Sequence, residues 1–364
     1  MYKPFDKLTR PFVIAAALGL VLPAIATLGP ASSATNVSPA AVPQQQRLFQ
    51  IFRPYVASPF GNAAPATAMR SYSFGRLASP VNYNFTKIDD NNGKNYTELL
   101  GISNDGRIAG YVQPTNSENQ HGFKLEPPYG QNDFKNEDVS GALRTEVTSI
   151  DQNHDLGGFW RSATGGTFGF VKWHGVVKTF SDPNTSSTYP CTEILGVNDN
   201  GIAVGYYDDN KGVQHGFEVN VQNGTFADIV PAGSTGIAVQ ATGINDKNEI
   251  VGGFELPGAN VTSVGWLLRG KATFVFADPN GLQTIPSGIN DNDEIVGFYA
   301  DKQGGLQGFT LTNPSNPHFQ TVDAPNSLTN KTIFSTVNGV NDKGELVGDY
   351  VGKNGNLFGF LATP

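Results

Sequence analysis

One phrase returns six times along this chain, and its spacing restricts the fold more than any other property. Its full form is Gly-Ile-Asn-Asp-x-x-x-Ile-Val-Gly, as in Gly288-Ile289-Asn290-Asp291 followed by Ile295-Val296-Gly297. The copies begin at Gly101, Ser149, Gly196, Gly243, Gly288 and Gly339, in steps of 48, 47, 47, 45 and 51 residues. A Gly-aromatic pair follows each copy by 20 to 22 residues, from Gly122-Phe123 to Gly359-Phe360. A Phe…Asp segment precedes each copy, from Phe85…Asp89 to Phe319…Asp323.

Each unit reads as four short strands. The Phe…Asp segment is taken as strand one and the Gly-Ile-Asn segment as strand two. The Ile-Val-Gly segment is strand three and the Gly-aromatic segment strand four. The Asp-x-Gly between strands two and three suits a tight turn, because glycine accepts positive φ without cost. Four strands in about 47 residues leave no room for a helix. Hairpins inside each unit favour antiparallel meanders over a solenoid. Strand three is apolar on both faces, as expected where neighbouring sheets cover it. The expected fold is therefore all-β: a single propeller of six four-stranded blades of about 47 residues, within a domain spanning 71–364. Tyr72-Ser73-Phe74 lies where a seventh copy of strand four would fall, so residues 72–77 are a candidate extra strand for sealing the ring.

Ahead of the repeat, Lys3, Lys7 and Arg10 precede an apolar run from Phe12 to Leu22, and small residues follow to Ala34. This is the pattern of a secretory signal peptide over 1–34, with cleavage after Ala34 or, alternatively, Ala26; retention as an anchor is the competing reading. Residues 35–70 are an Ala/Pro/Gln-rich linker. No later stretch is apolar enough to span a bilayer, so the mature chain is expected outside the cytoplasm, secreted or periplasmic. The net charge of −8 argues against nucleic acid, which calls for clustered Lys and Arg. Cys191 is the only cysteine, so no intramolecular disulfide is possible.

The phrase resembles the HAF-type extracellular repeat of bacterial exported proteins, over about 280 residues. His-Gly-Phe is intact at His121-Gly122-Phe123 and His215-Gly216-Phe217 and altered in the other copies. The second unit departs most, with Asp151-Gln152 in place of Asn-Asp. The resemblance implies secretion and a repeated β-fold, and it brings no catalytic residues.

A search for chemistry finds no His-x-x-x-His, no nucleophile elbow and no dinucleotide fingerprint. Calcium is a weak candidate cofactor at the loop Asp208, Asp209 and Asn210, and again at Asp151, Asn153 and Asp155; otherwise none is expected. The Asn-Asp pairs are expected to cap their own turns, with a ring of carboxylates at one propeller face as the alternative. Unit two concentrates Trp160, Arg161, Trp173 and His174, the candidate ligand-binding residues, because Trp and Arg are favoured at binding sites. The expectation is a monomeric, non-enzymatic binding propeller whose partner is a glycan or protein at the cell exterior. A glycan- or lactone-acting hydrolase or lyase at the channel mouth is the first alternative, and a structural surface or matrix component the second. The hydrolase reading requires carboxylates or histidines converging from different blades, with shifted pKa values.

Overall fold

The computed structural model describes residues 73–77, 81–93, 96–114, 119–235, 237–256, 262–325, 328–329, 332–353 and 355–364. All of them belong to the unit Gln44–Pro364. The expected leader over 1–34 and linker over 35–70 lie outside the described residues.

The repeat folds as successive antiparallel four-stranded meanders. Sheet one holds Thr97–Ile102, Ile108–Val112, His121–Leu125 and Phe134–Asn136. Sheet two holds Arg144–Ile150, Leu156–Arg161, Thr167–Trp173 and Val176–Phe180. Sheet three holds Thr192–Val197, Ile202–Asp208, Gln214–Asn220 and Phe226–Ile229. Sheet four holds Val239–Ile244, Ile250–Glu255, Ser263–Arg269 and Ala272–Ala277. Sheet five holds Gly281–Ile289, Ile295–Asp301, Leu306–Thr312 and His318–Val322. Sheet six holds Ser335–Val340, Leu346–Val351 and Leu357–Thr363, and its fourth strand is Asn84–Ile88 from the start of the repeat.

The phase of the unit differs from the sequence reading. The Phe…Asp segment is not the first strand of its own sheet but the fourth strand of the sheet before it. The two-residue loop His174-Gly175, with φ of 49° and 81°, folds Val176–Phe180 straight back onto Thr167–Trp173. The longer stretch after Phe180 then carries the chain to the next sheet. A tandem repeat has no intrinsic starting point, so only these loop geometries set the frame. The first Phe…Asp segment has no preceding sheet, and it pairs with the last one: Asn84–Ile88 lies antiparallel to Leu357–Thr363, with the rings of Phe85 and Phe360 5.3 Å apart.

Residues 73–77 do add strands, though not as a seventh Gly-aromatic copy. Ser73–Phe74 runs parallel to Phe276–Ala277, and Arg76–Leu77 runs parallel to His318–Phe319. The segment therefore covers the outer edges of sheets four and five, whose unpaired N–H and C=O groups would otherwise be open to other chains.

Every sheet carries the same irregularity. A β-bulge interrupts the first strand between Leu99/Gly101, Val147/Ser149, Ile194/Gly196, Ala241/Gly243, Pro286/Gly288 and Val337/Gly339. At the bulge, neighbouring first strands come into backbone contact. A Cβ on Gly243 would stand 3.0 Å from the Cα of Gly288, and one on Gly339 would stand 3.1 Å from the Cα of Gly101 and 2.8 Å from the carbonyl oxygen of Leu100. The bulged residue itself often ties the sheets: Thr148, Thr242 and Ser287 donate from their hydroxyls to the carbonyls of Ile194, Pro286 and Val337, and Asn338 donates from Nδ2 to Leu99.

The apolar core is distributed between the sheets. Phe123, Phe170, Phe217, Trp266, Phe309 and Phe360 are all buried. The Ile-Val-Gly glycine makes their seat: a Cβ on Gly348 would stand 2.7 Å from the Phe360 ring and would collide with the carbonyl oxygen of Thr336. One cluster joins Val171, Trp173 and Phe180 of sheet two to Ile194 and Phe217 of sheet three. Another joins Val347 and Leu361 of sheet six to Leu99, Ile108 and Phe123 of sheet one. Burial of large aromatics on this scale contributes roughly 1.5–3 kcal/mol per side chain.

Gly339→Ala is expected to destabilise the fold by about 1–3 kcal/mol, because the new methyl meets backbone that cannot yield. Denaturant unfolding checks it; an unchanged midpoint would mean that sheets six and one do not make this contact in solution.

Candidate functional site: the turn face and the buried carboxylates

The first turn of each sheet forms one face of the molecule. In sheets three to six the Asn of the phrase caps its own turn, as Asn245 Oδ1 does by accepting the N–H of Lys247 (3.1 Å) and of Glu249 (2.9 Å). Its Nδ2 then donates to the next sheet: Asn198 to the carbonyl of Asn245, Asn245 to Asn290, Asn290 to Asn341, and Asn341 to Ser103. The following residue does not cap its own turn, which corrects the expectation from sequence. The backbone N–H of Asn104 donates to Gln152 Oε1 (2.6 Å), Gln152 to Asp199 Oδ1 (2.8 Å), and Asp199 to Asp246 Oδ1 (2.8 Å). Asp246 donates in turn to Asp291 Oδ1 (3.0 Å), Asp291 to Asp342 Oδ1 (2.8 Å), and Asp342 to Asn104 Oδ1 (2.8 Å). The relay returns to its first member.

Inside this relay lies a cavity of about 70 Å³ lined by the aliphatic residues Ile102, Ile150, Val197, Ile244, Ile289 and Val340, together with Asp151, Gln152 and the Asn-Asp pairs at 245–246, 290–291 and 341–342. Burial pushes the carboxyl of Asp246 up, and so does repulsion from Asp199, Asp291 and Asp342. Burial and the carboxylates of Asp342 and Asp199 do the same to Asp291. Asp151 stands where sheets three to six have Asn. It brings an acceptor in place of the amide donor; it is 3% exposed, its Oδ2 has no hydrogen-bond partner, and burial pushes it up to about 7.

A second group of acids is buried upstream on the same first strands. Glu98, Glu146 and Glu193 stand four residues before Ile102, Ile150 and Val197. Asp349 joins them from the second strand of sheet six, and all four are at most 8% exposed. Burial raises Glu98 well above the usual carboxylate range, with repulsion from Asp349 adding to it. Burial and the charge of Glu193 push Glu146 up to about 8, and burial pushes Asp349 up to about 7. Glu193 accepts from the Tyr206 hydroxyl (2.5 Å), and Asp349 accepts from Asn338 Nδ2 (2.5 Å). Sequence reading missed this group, although the Thr-Glu pairs at 97–98, 145–146 and 192–193 recur at one repeat position.

The structure separates the residues singled out in unit two. Trp160 and Arg161 end one strand opposite Phe168 and Thr167, whereas Trp173 and His174 stand at the far end of that partner strand. Trp160 packs on Phe168, with ring centroids 5.0 Å apart. Trp173 is a core residue lying over Gly201, and His174 is exposed with its Nδ1 3.4 Å from Asp155. In the candidate calcium loop, Asp209 Oδ1 accepts the N–H of Lys211 and Val213, its Oδ2 meets His215, and Asn210 Oδ1 accepts from Ser187. Among the described residues, no group of three or more His, Cys, Asp or Glu side chains is arranged to hold a metal ion. Nor is any helix among them long and apolar enough to cross a membrane. Cys191 is buried beside Glu193.

No protein-family model and no curated protein sequence matches the chain. Solved structures do resemble it. A TolB-like protein from Agrobacterium tumefaciens superposes with a TM-score of 0.50 at 10% identity, over 74% of this chain and 90% of the other. A fungal lectin from Aleuria aurantia, described as a six-bladed β-propeller with fucose recognition, gives 0.38 at 12% identity, over 61% and 77%. A variant of AofleA from Arthrobotrys oligospora gives 0.39 at 8% identity, over 76% and 81%. At these identities the likeness concerns fold alone. It agrees with an all-β chain of repeated four-stranded sheets.

The buried acids set a pH dependence with a definite sign. Glu146 titrates at 4.5 when unfolded and at about 8 when folded, so the native state holds a proton that the unfolded state releases. The contribution of Glu146 is full below pH 4.5 and is lost towards pH 8, by up to about tenfold in the folding constant per pH unit. Thermal melts should therefore fall from pH 5 to pH 8, and Glu146→Gln should flatten the profile; a profile rising over that range would contradict the assignment. Asp151→Asn restores the missing donor toward Asn198 and is expected to stabilise by about 1 kcal/mol in denaturant unfolding. A loss of stability would refute the orphaned-acceptor reading.

Proposed function

We propose that the chain is a closed six-bladed β-propeller of the exported HAF-repeat type, working as a binding module rather than a catalyst. Its ligand addresses the turn face. The observation that carries this reading is the cavity inside the relay, into which the sheets bring side chains from one repeat position. Recognition on propellers is commonly placed on loops gathered around an axis, where many blades contribute at once. Closure is supported by the pairing of Asn84–Ile88 with Leu357–Thr363, by the bridge between Tyr96 and Leu357, and by the bond from Asp342 to Asn104. A monomer outside the cytoplasm, meeting a glycan or a protein there, completes the reading.

A second reading, acid–base catalysis on a glycan or lactone, is favoured by Glu98, Glu146, Glu193 and Asp349, which come from four different sheets, with the carboxyls of Glu98, Glu146 and Asp349 shifted upward by burial. Their burial and their bonds to Tyr206 and Asn338 favour a structural role instead.

Screening the full chain on glycan and peptide arrays tests the proposal, with Lys343→Trp placing a bulky ring at the exposed rim of the turn face. Binding that weakens at least tenfold in the variant supports the turn face. Binding that is indifferent to the variant moves the site elsewhere, and cleavage of a captured ligand, read by mass spectrometry, establishes the catalytic reading.

A further inference from the structure

The relay needs an oxygen acceptor at each position, and it does not need a charge. Two of its members prove the point: Gln152 accepts the N–H of Asn104 through an amide oxygen, and Asn104 does the same for Asp342. The other four, Asp199, Asp246, Asp291 and Asp342, use a carboxylate oxygen for the same task, and Asp342 also accepts from Asn104 Nδ2 (2.7 Å) through its second oxygen. At Asp246 and Asp291 an amide would make these bonds without the burial of charge, and the repulsion from neighbouring carboxylates, that raise both groups. The negative charges of Asp246 and Asp291 are thus a cost that the fold does not require, and like charges gathered around a cavity call for a positive occupant.

A separate observation points the same way. Asp151, buried in the wall of that cavity, has an Oδ2 with no partner where sheets three to six place an amide donor. Nearby bases offset the group only in part: burial raises Asp291, and the charge of Lys247 acts against it. Lys247 Nζ is 3.5 Å from Asp293 at the rim, and Arg107 is bound to Asp105 and Glu126.

We infer that the cavity at the turn face takes an organic cation, a primary ammonium or a guanidinium group, held by Asp246, Asp291 and Asp342 with Asp151 in the same wall. A volume of about 70 Å³ accommodates such a head group, since one water requires only ~10–15 Å³ on this measure. A bare calcium ion fits less well. It requires six to eight oxygens at about 2.3–2.6 Å, whereas no three acidic side chains among the described residues approach closely enough to hold a metal. An ammonium or guanidinium instead reaches separated acceptors with three or five divergent N–H donors. The inference rests on the binding-module reading and names its ligand class.

Calorimetric titration of the full chain with spermidine and with arginine methyl ester tests it, beside calcium chloride and uncharged N-acetylglucosamine. The variant Asp246→Asn/Asp291→Asn keeps both N–H acceptors, as Asn104 does, and removes two charges; Asp246→Asn alone serves if the double variant melts early. The expected result is saturable binding of an amine or guanidinium probe, weakened at least tenfold in the variant at a melting temperature no lower than that of the parent chain. Equal affinity in both proteins, binding of calcium without either organic cation, or no saturable organic-cation binding overturns the inference. N-acetylglucosamine binding that Lys343→Trp abolishes and the Asn variant leaves intact would keep the turn-face reading and remove the cation alone.

Discussion

The contact on which the rest depends is the approach of neighbouring first strands at their bulges. Each strand gives up regular pairing for one residue, and Gly196, Gly243, Gly288 and Gly339 let backbone meet backbone there. That proximity allows a side chain of one sheet to reach the peptide of the next. Thr148, Thr242, Ser287 and Asn338 do so at the bulge, and the Asn-Asp pairs do so a turn further on. Each bond is worth only about 0.5–1.5 kcal/mol net, but it fixes the angle between sheets, and the aromatics between them are buried only if that angle holds.

Much of this was legible in the sequence. The period, the four strands per unit and the all-β class followed from Gly, Asn and aromatic anchors at constant offsets. Two things were not. The frame of the repeat depends on whether the Phe…Asp segment folds back or forward, and positive φ at His174 and Gly175 decides it. Nothing in a tandem pattern distinguishes the two. The roles of the glycines were not legible either: the Ile-Val-Gly glycine seats an aromatic of its own sheet, and the Gly-Ile-Asn glycine makes the contact between sheets.

The site shows a similar limit. Asn-Asp repetition suggested capping of the local turn, and the Asn does cap its own turn while the Asp caps the neighbour's. A bond spanning 45 to 51 residues matches the repeat period, and a sequence read one unit at a time does not disclose it. Trp160 and Trp173 drew attention as rare residues, yet strand direction puts them at opposite ends of one sheet. Asp151-Gln152, by which the second unit departs most from the phrase, holds the orphaned acceptor.

Closure of the relay is the central claim, and hydrogen exchange at single-residue resolution tests it most directly. Asp199, Asp246 and Asp291 donate their N–H groups within a continuous run of sheets, while Asp342 donates to Asn104 across the junction of last and first. A closed relay predicts that the Asp342 amide exchanges as slowly as the other three. Free exchange at Asp342 with protection at Asp199, Asp246 and Asp291 would show that the sheets form an open array.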